Sequence, residues 1–170
     1  MVSGAVTGTC APSSSTPGTY LVTVTGTGGG HTHSASFVSH VGDFTISVGS
    51  PVNFNSGAAG SISVSLTSTF NFAGSITLTG SSGAGLTITC PGTAVAITAN
   101  ATVASSCSLS STTAATYGIN VSGNGSPGTA THTVPGTVHV GNFTISASTP
   151  VNFNSGATGS SISVSLTSTF

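Results

Sequence analysis

Apolar residues alternate with serine and threonine along most of this chain, with the period of two that is typical of half-buried β-strands. In Ser61–Phe70, for example, Ile62, Val64 and Leu66 alternate with hydroxyl-bearing residues. The same alternation predicts further strands at Asp43–Val48, Ser75–Thr79, Gly85–Cys90, Ala94–Ala99, Thr102–Ser110, Thr116–Ser122 and Thr129–Val140. No segment shows the period of an amphipathic helix, so the pattern predicts an all-β protein.

Several stretches of sequence occur twice. The segment VGDFTIS at Val41–Ser47 returns as VGNFTIS at Val140–Ser146, 99 residues later. Ser61–Phe70 returns unchanged as Ser161–Phe170. Internal repeats of this kind indicate a chain built from repeated structural units.

The repeat extends to the other end of the unit, where Thr19–Val24 aligns with Thr116–Val121. We therefore expect the last part of one repeat at 1–40, a complete repeat at 41–139 and the first part of another at 140–170. Both outer pieces lack strands that they need to bury their apolar faces. Neighbouring copies of the chain are the predicted partners that complete them by strand addition, with Thr129–Val140 and Phe143–Phe170 as candidate donated segments.

A repeat of about 99 residues with about seven short strands is typical of a β-sandwich. Clusters of glycine, asparagine and serine separate the predicted strands, and one of them, Gly123–Gly125, predicts a turn. The predicted fold is a tandem array of immunoglobulin-like (Ig-like) β-sandwich repeats.

Three short motifs resemble the Ig-like repeats of large prokaryotic, especially archaeal, secreted surface proteins. They are the FTIS strand at Phe44–Ser47, the Pro51-Val52 entry to the next strand, and TPGTYLVTVTGT at Thr16–Thr27. The resemblance implies a spacer, stalk, surface-coat or filament role, and it puts Tyr20 at a position like the tyrosine corner of sandwiches. The cysteines and the near absence of charge depart from the family pattern.

Charge narrows the possible partners. The chain has no Lys or Arg and only one acidic residue, Asp43. Phosphate neutralisation needs cations, so we expect no nucleic-acid partner, and attraction to anionic lipids is excluded for the same reason. No apolar run is long enough to cross a bilayer, so we expect no membrane insertion. Charged side chains usually keep exposed sheet edges apart, and this chain has almost none, so we expect either glycans or self-association to cover those edges.

The cysteines suggest an oxidising compartment. Cys90 and Cys107 lie in the same repeat, each in phase with apolar neighbours, and a disulfide between them would close a short loop. Two buried thiols are the alternative. Cys10 aligns with Cys107 but has no counterpart of Cys90 in the sequence, so it is unpaired or paired outside this chain.

Other polar residues offer weaker candidates for chemistry. His31 and His33 share a strand face and could begin a zinc or copper site with His40, but such sites need three or four converging ligands. We therefore expect no metal and no cofactor. A single carboxylate rules out paired-carboxylate hydrolysis, and the sequence has no nucleophile-elbow motif in a strand–turn–helix context. We expect no enzyme activity.

Four asparagines lie in N-glycosylation sequons: Asn100, Asn120, Asn124 and Asn142. Glycans there would supply the hydration that charges do not, and Asn124 is predicted to be the most accessible. The alternative is bare asparagines that serve turns.

The sequence is compatible with two functions. The first is a structural extracellular protein, a segment or subunit of a cell-surface filament or stalk. The second is an adhesin or carbohydrate-binding module, which would need exposed aromatic side chains. The chain has no Trp, and Tyr20 and Tyr117 fall in predicted strands, so the pattern favours the structural role.

Overall fold

The structure is a computed structural model that describes residues 7–148, 154–156 and 161–169. Every regular element in these residues is a β-strand, which confirms the all-β prediction, and none of them forms a helix that could cross a membrane. The strands are β1 Gly18–Gly28, β2 His31–Val41, β3 Asp43–Val48, β4 Val52–Asn55, β5 Ala59–Thr69, β6 Gly74–Ser82, β7 Thr87–Thr89, β8 Val95–Ile97, β9 Thr102–Ser110, β10 Ala115–Ser126, β11 Thr131–Gly141, β12 Phe143–Ala147 and β13 Val164–Ser168.

Strands β3 to β11 form two sheets packed face to face. One sheet has the order β3-β5-β9-β7 and the other the order β4-β11-β10-β6-β8. All neighbours are antiparallel except β4 and β11, which are parallel. Nine strands build this sandwich, two more than the roughly seven that the sequence pattern predicted.

The core lies between the two sheets and is built by the alternation in the sequence. On β5, Ile62, Val64 and Leu66 point inward and are buried, while the serines and threonines between them face outward. A register slip of one residue would turn these apolar side chains to solvent, so the pattern fixes the pairing. The buried apolar set is Phe44, Ile46, Ile62, Val64, Leu66, Phe72, Ile76, Leu78, Leu86, Ile97, Cys107, Leu109, Tyr117, Ile119, Val121, Val138 and Val140.

The turn predicted at Gly123–Gly125 is wrong, because β10 continues without a break to Ser126. A Cβ on Gly123 would lie 3.1 Å from the Phe44 ring, and one on Gly125 would lie 2.9 Å from it. Both glycines therefore serve close packing inside a strand. They leave room for the Phe44 ring against the opposite sheet.

Two hairpins flank the sandwich. In one, β1 pairs with β2, and in the other, β12 pairs with β13. Each is a separate two-stranded sheet. A two-stranded hairpin has only marginal stability on its own in water, so both need a further surface against which to pack.

Candidate functional site

The N-terminal hairpin repeats the register of β10 and β11. Thr19 pairs with His40 as Thr116 pairs with His139, and the side chains bond in the same way. Thr19 Oγ1 lies 3.0 Å from His40 Nδ1, and Thr116 Oγ1 lies 2.9 Å from His139 Nδ1. The hairpin β1–β2 is thus the structural counterpart of β10–β11.

A tyrosine hydroxyl ties the start of each of these hairpins to the chain before it. The Tyr117 hydroxyl donates to the Thr113 carbonyl oxygen at 3.0 Å, and the Tyr20 hydroxyl donates to the Thr16 carbonyl oxygen at 2.7 Å. A tyrosine near the start of a strand that bonds back to the backbone a few residues upstream is the geometry of the tyrosine corner. Tyr20 therefore has the geometry that the sequence resemblance suggested for it.

The C-terminal hairpin repeats β3 and β5. Ile46 pairs with Leu66 in the sandwich, and Ile145 pairs with Leu166 in the hairpin. The first residue of each copy also caps its strand. Asp43 Oδ1 accepts the Phe44 amide at 2.8 Å, and Asn142 Oδ1 accepts the Phe143 amide at the same distance.

The two hairpins expose side chains whose counterparts are buried in the sandwich. Phe44 is 0% exposed and Phe143 is 62% exposed, while Leu66 is 0% exposed and Leu166 is 66% exposed. On the N-terminal hairpin, Val24 is exposed although its counterpart Val121 is buried. We call Tyr20, Val22, Val24, Ala35 and Phe37 the N-terminal face, and Phe143, Ile145, Ala147, Val164 and Leu166 the C-terminal face.

In the complete repeat, these two kinds of face cover each other. The strand pair β3–β5 packs on β10–β11, with Phe44 against His132 at the start of β11, the ring centroids 4.8 Å apart. The chain thus carries a copy of the β10–β11 half of this interface before the sandwich, as β1–β2, and a copy of the β3–β5 half after it, as β12–β13. Neither half meets its counterpart in the described residues.

The hairpins are attached at opposite ends of the sandwich. Asp43, where the chain enters β3, lies beside His132 at the start of β11, with Oδ1 and Nε2 2.8 Å apart. Gly141, where the chain leaves β11, accepts the Ser56 amide at 2.8 Å. β11 has 11 residues, so these two points are separated by roughly 30–35 Å of extended strand.

The predicted disulfide is confirmed. Cys90 and Cys107 are bonded across 17 residues of sequence, with Cys107 buried on β9. Cys10 is free and exposed in the structure.

The chain's single carboxylate pairs with a histidine that sequence inspection did not select. Asp43 Oδ1 accepts from the Phe44 amide and also lies 2.8 Å from His132 Nε2. The two residues are 89 positions apart and lie on different sheets, so only the packing of the sandwich brings them together. The only sequence signal at this position is the repeat itself, which places His33 of the preceding repeat opposite His132.

The three histidines considered for a metal site do not converge. His31 and His33 lie on one face of β2, whereas His40 lies on the other face, because neighbouring positions in a strand alternate. His33 and His40 are also seven residues apart along the strand. No cluster of three metal-ligating side chains occurs in the part of the chain that the structure describes.

All four sequon asparagines are exposed. Asn120 and Asn124 point outward from β10, Asn100 has a positive φ of 59° in a turn, and Asn142 lies between β11 and β12. Asn124 lies in a strand, and the turn predicted for it is wrong. Its Oδ1 accepts the Thr131 hydroxyl at 2.9 Å.

Comparison with known proteins gives limited guidance. No protein-family model matches the chain, and no curated protein matches its sequence. Among solved structures, the chain is similar to the crystal structure of domains 4 and 5 of the S-layer protein SbsC, with 19% identity and a TM-score of 0.44. The match covers 73% of this chain and 58% of that one. A likeness this low leaves the function to be argued from the chain's own residues.

Proposed function

We propose that the chain is a structural segment of an extracellular filament or stalk, built from tandem Ig-like sandwiches whose open sheets are completed by strands of neighbouring copies. One observation carries the proposal: counterparts of the core side chains of the complete repeat, such as Phe143, Leu166 and Val24, are exposed on the two flanking hairpins. Exposed apolar faces of this kind mark interaction surfaces, and these two are already shaped as halves of one interface.

The Ig-like part of the proposal is supported by strand order. In Ig domains, one sheet holds the first, second, fifth and fourth strands, and the other holds the third, sixth and seventh. Here β3-β5-β9-β7 corresponds to the first sheet, and β6, β10 and β11 lie together in the second. The tyrosine corner at Tyr117 adds a second feature of the same fold.

The extracellular part is supported by the Cys90–Cys107 disulfide, since disulfides persist in oxidising compartments. The exposed sequon asparagines are consistent with that location, and we propose that glycans on them hydrate a surface almost without charge. We also propose that the protein is not an enzyme. The adhesin alternative would need free aromatic side chains. The hydroxyls of Tyr20 and Tyr117 are engaged with backbone carbonyls, and the exposed Phe37 and Phe143 belong to the hairpin faces that we propose pack on neighbouring copies.

Electron microscopy of the purified chain at increasing concentration tests the proposal. We expect filaments whose axial repeat matches one chain, because each copy offers two unlike faces at opposite ends, and head-to-tail contacts of this kind build open filaments unless the rotation between copies closes a ring. Discrete monomers at every concentration would contradict it. A matched pair of variants supplies the control. Ile145→Asp places a charge on the C-terminal face and should abolish filaments, whereas Ser146→Asp places it on the opposite, exposed face of β12, outside any sequon, and should not.

A further inference from the structure

The sizes of the side chains on the two hairpins differ from those in the sandwich in a correlated way. In the complete repeat, β11 carries Gly136 opposite Ile119 of β10. A Cβ placed on Gly136 would lie 3.2 Å from Ile119 Cγ1 and 3.5 Å from Val48 Cγ2. The space above Gly136 is therefore already filled by Ile119 from its own sheet and by Val48 from the facing sheet.

The N-terminal hairpin has a large side chain at this position. Phe37 occupies the place of Gly136 and pairs with Val22, which replaces Ile119. The neighbour on the same strand face, Ala35, replaces Val134. Within the hairpin, then, the residues around Phe37 are smaller than in the sandwich. The remaining neighbour is the one from the facing sheet, which this hairpin does not itself contain.

The C-terminal hairpin has a small side chain where that neighbour would stand. Ala147 pairs with Val164 as Val48 pairs with Val64, so Ala147 takes the place of Val48. In the sandwich, a small residue (Gly136) faces a larger one (Val48). On the hairpins the sizes are reversed, with Phe37 in place of Gly136 and Ala147 in place of Val48. The two changes, on hairpins far apart in sequence, are therefore opposite in size.

A second position on the two hairpins points the same way. In the sandwich, His132 contacts Asp43 and the edge of the Phe44 ring. The corresponding residues are His33 on the N-terminal hairpin, and Asn142 and Phe143 on the C-terminal one. If the hairpins meet, Asn142 takes the position that Asp43, the only acidic residue, has in the sandwich. The contact between the hairpins then buries no acidic side chain.

We infer that the occupant of the N-terminal face is the C-terminal hairpin of a second copy, seated as β3–β5 sits on β10–β11, with Phe37 packed over Ala147. This inference rests on the proposed function and specifies the contact between neighbouring copies, which we call the joint. The two hairpins of one chain leave the sandwich at opposite ends, so their pairing joins different copies. Each such contact is head to tail, which propagates a filament unless the rotation between copies closes a ring.

The joint is tested by exchanging the sizes of the two residues in the full chain and measuring association by sedimentation equilibrium. Ala147→Val should weaken association about 5- to 150-fold, the equivalent of the roughly 1–3 kcal/mol that overpacking a fitted site costs. Phe37→Ala should also weaken association, since it removes the aromatic anchor. The double variant F37A/A147V should associate more tightly than A147V, because the added methyl groups then occupy the space left by the ring.

Ser146→Val serves as the control. It adds comparable bulk next to Ala147 but on the opposite, exposed face of β12, and association should not change. None of these positions lies in the sandwich, so its thermal unfolding should be the same in every variant. Association that is unaffected by A147V, or that falls additively in the double variant, would overturn the inferred joint while leaving the proposed function in place. A wild-type chain that does not associate at all would overturn both.

Discussion

Replacing Phe44 with alanine is expected to lower the free energy of unfolding of the sandwich by about 3–5 kcal/mol, the usual cost of truncating a buried phenylalanine. Phe44 is fully buried, packs against Phe72 with ring centroids 5.6 Å apart, and contacts His132 edge-on. Gly123 and Gly125 of β10 approach its ring closely, so the backbone of β10 would line part of the cavity and could not readily fill it. Chemical denaturation measures the change.

The repeat supplies an internal control for this substitution. Phe143 has the same place in the next repeat and the same amide cap, but it is exposed. Phe143→Ala should leave the stability of the dilute, unassociated sandwich within about 0.5 kcal/mol of the wild type. Equal losses for the two variants would show that the C-terminal hairpin already packs within one chain, contrary to the fold described above.

Removing the disulfide is expected to have the second largest effect. The Cys90→Ala/Cys107→Ala variant should be less stable by about 3 kcal/mol, since a cross-link across 17 residues restricts the unfolded chain. The sandwich has one carboxylate and no Lys or Arg, so it has no network of ion pairs to offset the loss. Thermal unfolding with and without reductant gives the measurement.

Reductant should destabilise the wild type by a similar amount and leave the double alanine variant unchanged. Cys10→Ala is the matched control, because Cys10 is exposed and outside the sandwich, and it should behave as the wild type in both conditions. A double variant as stable as the wild type would mean that the core alone holds β7, β9 and the chain between them.

Local pattern was enough to predict most strands. β3 and β9 agree with the prediction residue for residue, since apolar side chains recur on one face of each strand, with a single break at Ser105 of β9. β4 has only four residues and pairs in parallel with a strand far along the chain, so alternation gave no separate strand for it. The glycines of β10 were misread as a turn because their reason lies across the core, in the Phe44 ring.

In the candidate site, too, some features could be predicted from the sequence and others depended on the packing of the sheets. The repeat in the sequence predicted that both ends of the chain carry unfinished sheets, and the disulfide followed from two cysteines in phase with apolar neighbours. The pairing of Asp43 with His132 could not be read from sequence, because it depends on how two sheets stack. The size exchange between Phe37 and Ala147 became visible only once the strand registers and the surroundings of Gly136 were known. One predicted donated segment, Thr129–Val140, lies largely in β11, which pairs with β10 along most of its length and with β4 at Val138–Gly141 within its own sandwich.

Hydrogen exchange of the backbone amides, in dilute and in concentrated solution, tests the central claim most directly. The account predicts that amides in the core strands of the sandwich are protected at both concentrations. It also predicts that the outer hairpins exchange rapidly in dilute solution and become protected together as copies associate. Hairpin amides that exchange rapidly at every concentration, or that are already protected in the isolated chain, would contradict the claim that neighbouring copies complete these sheets.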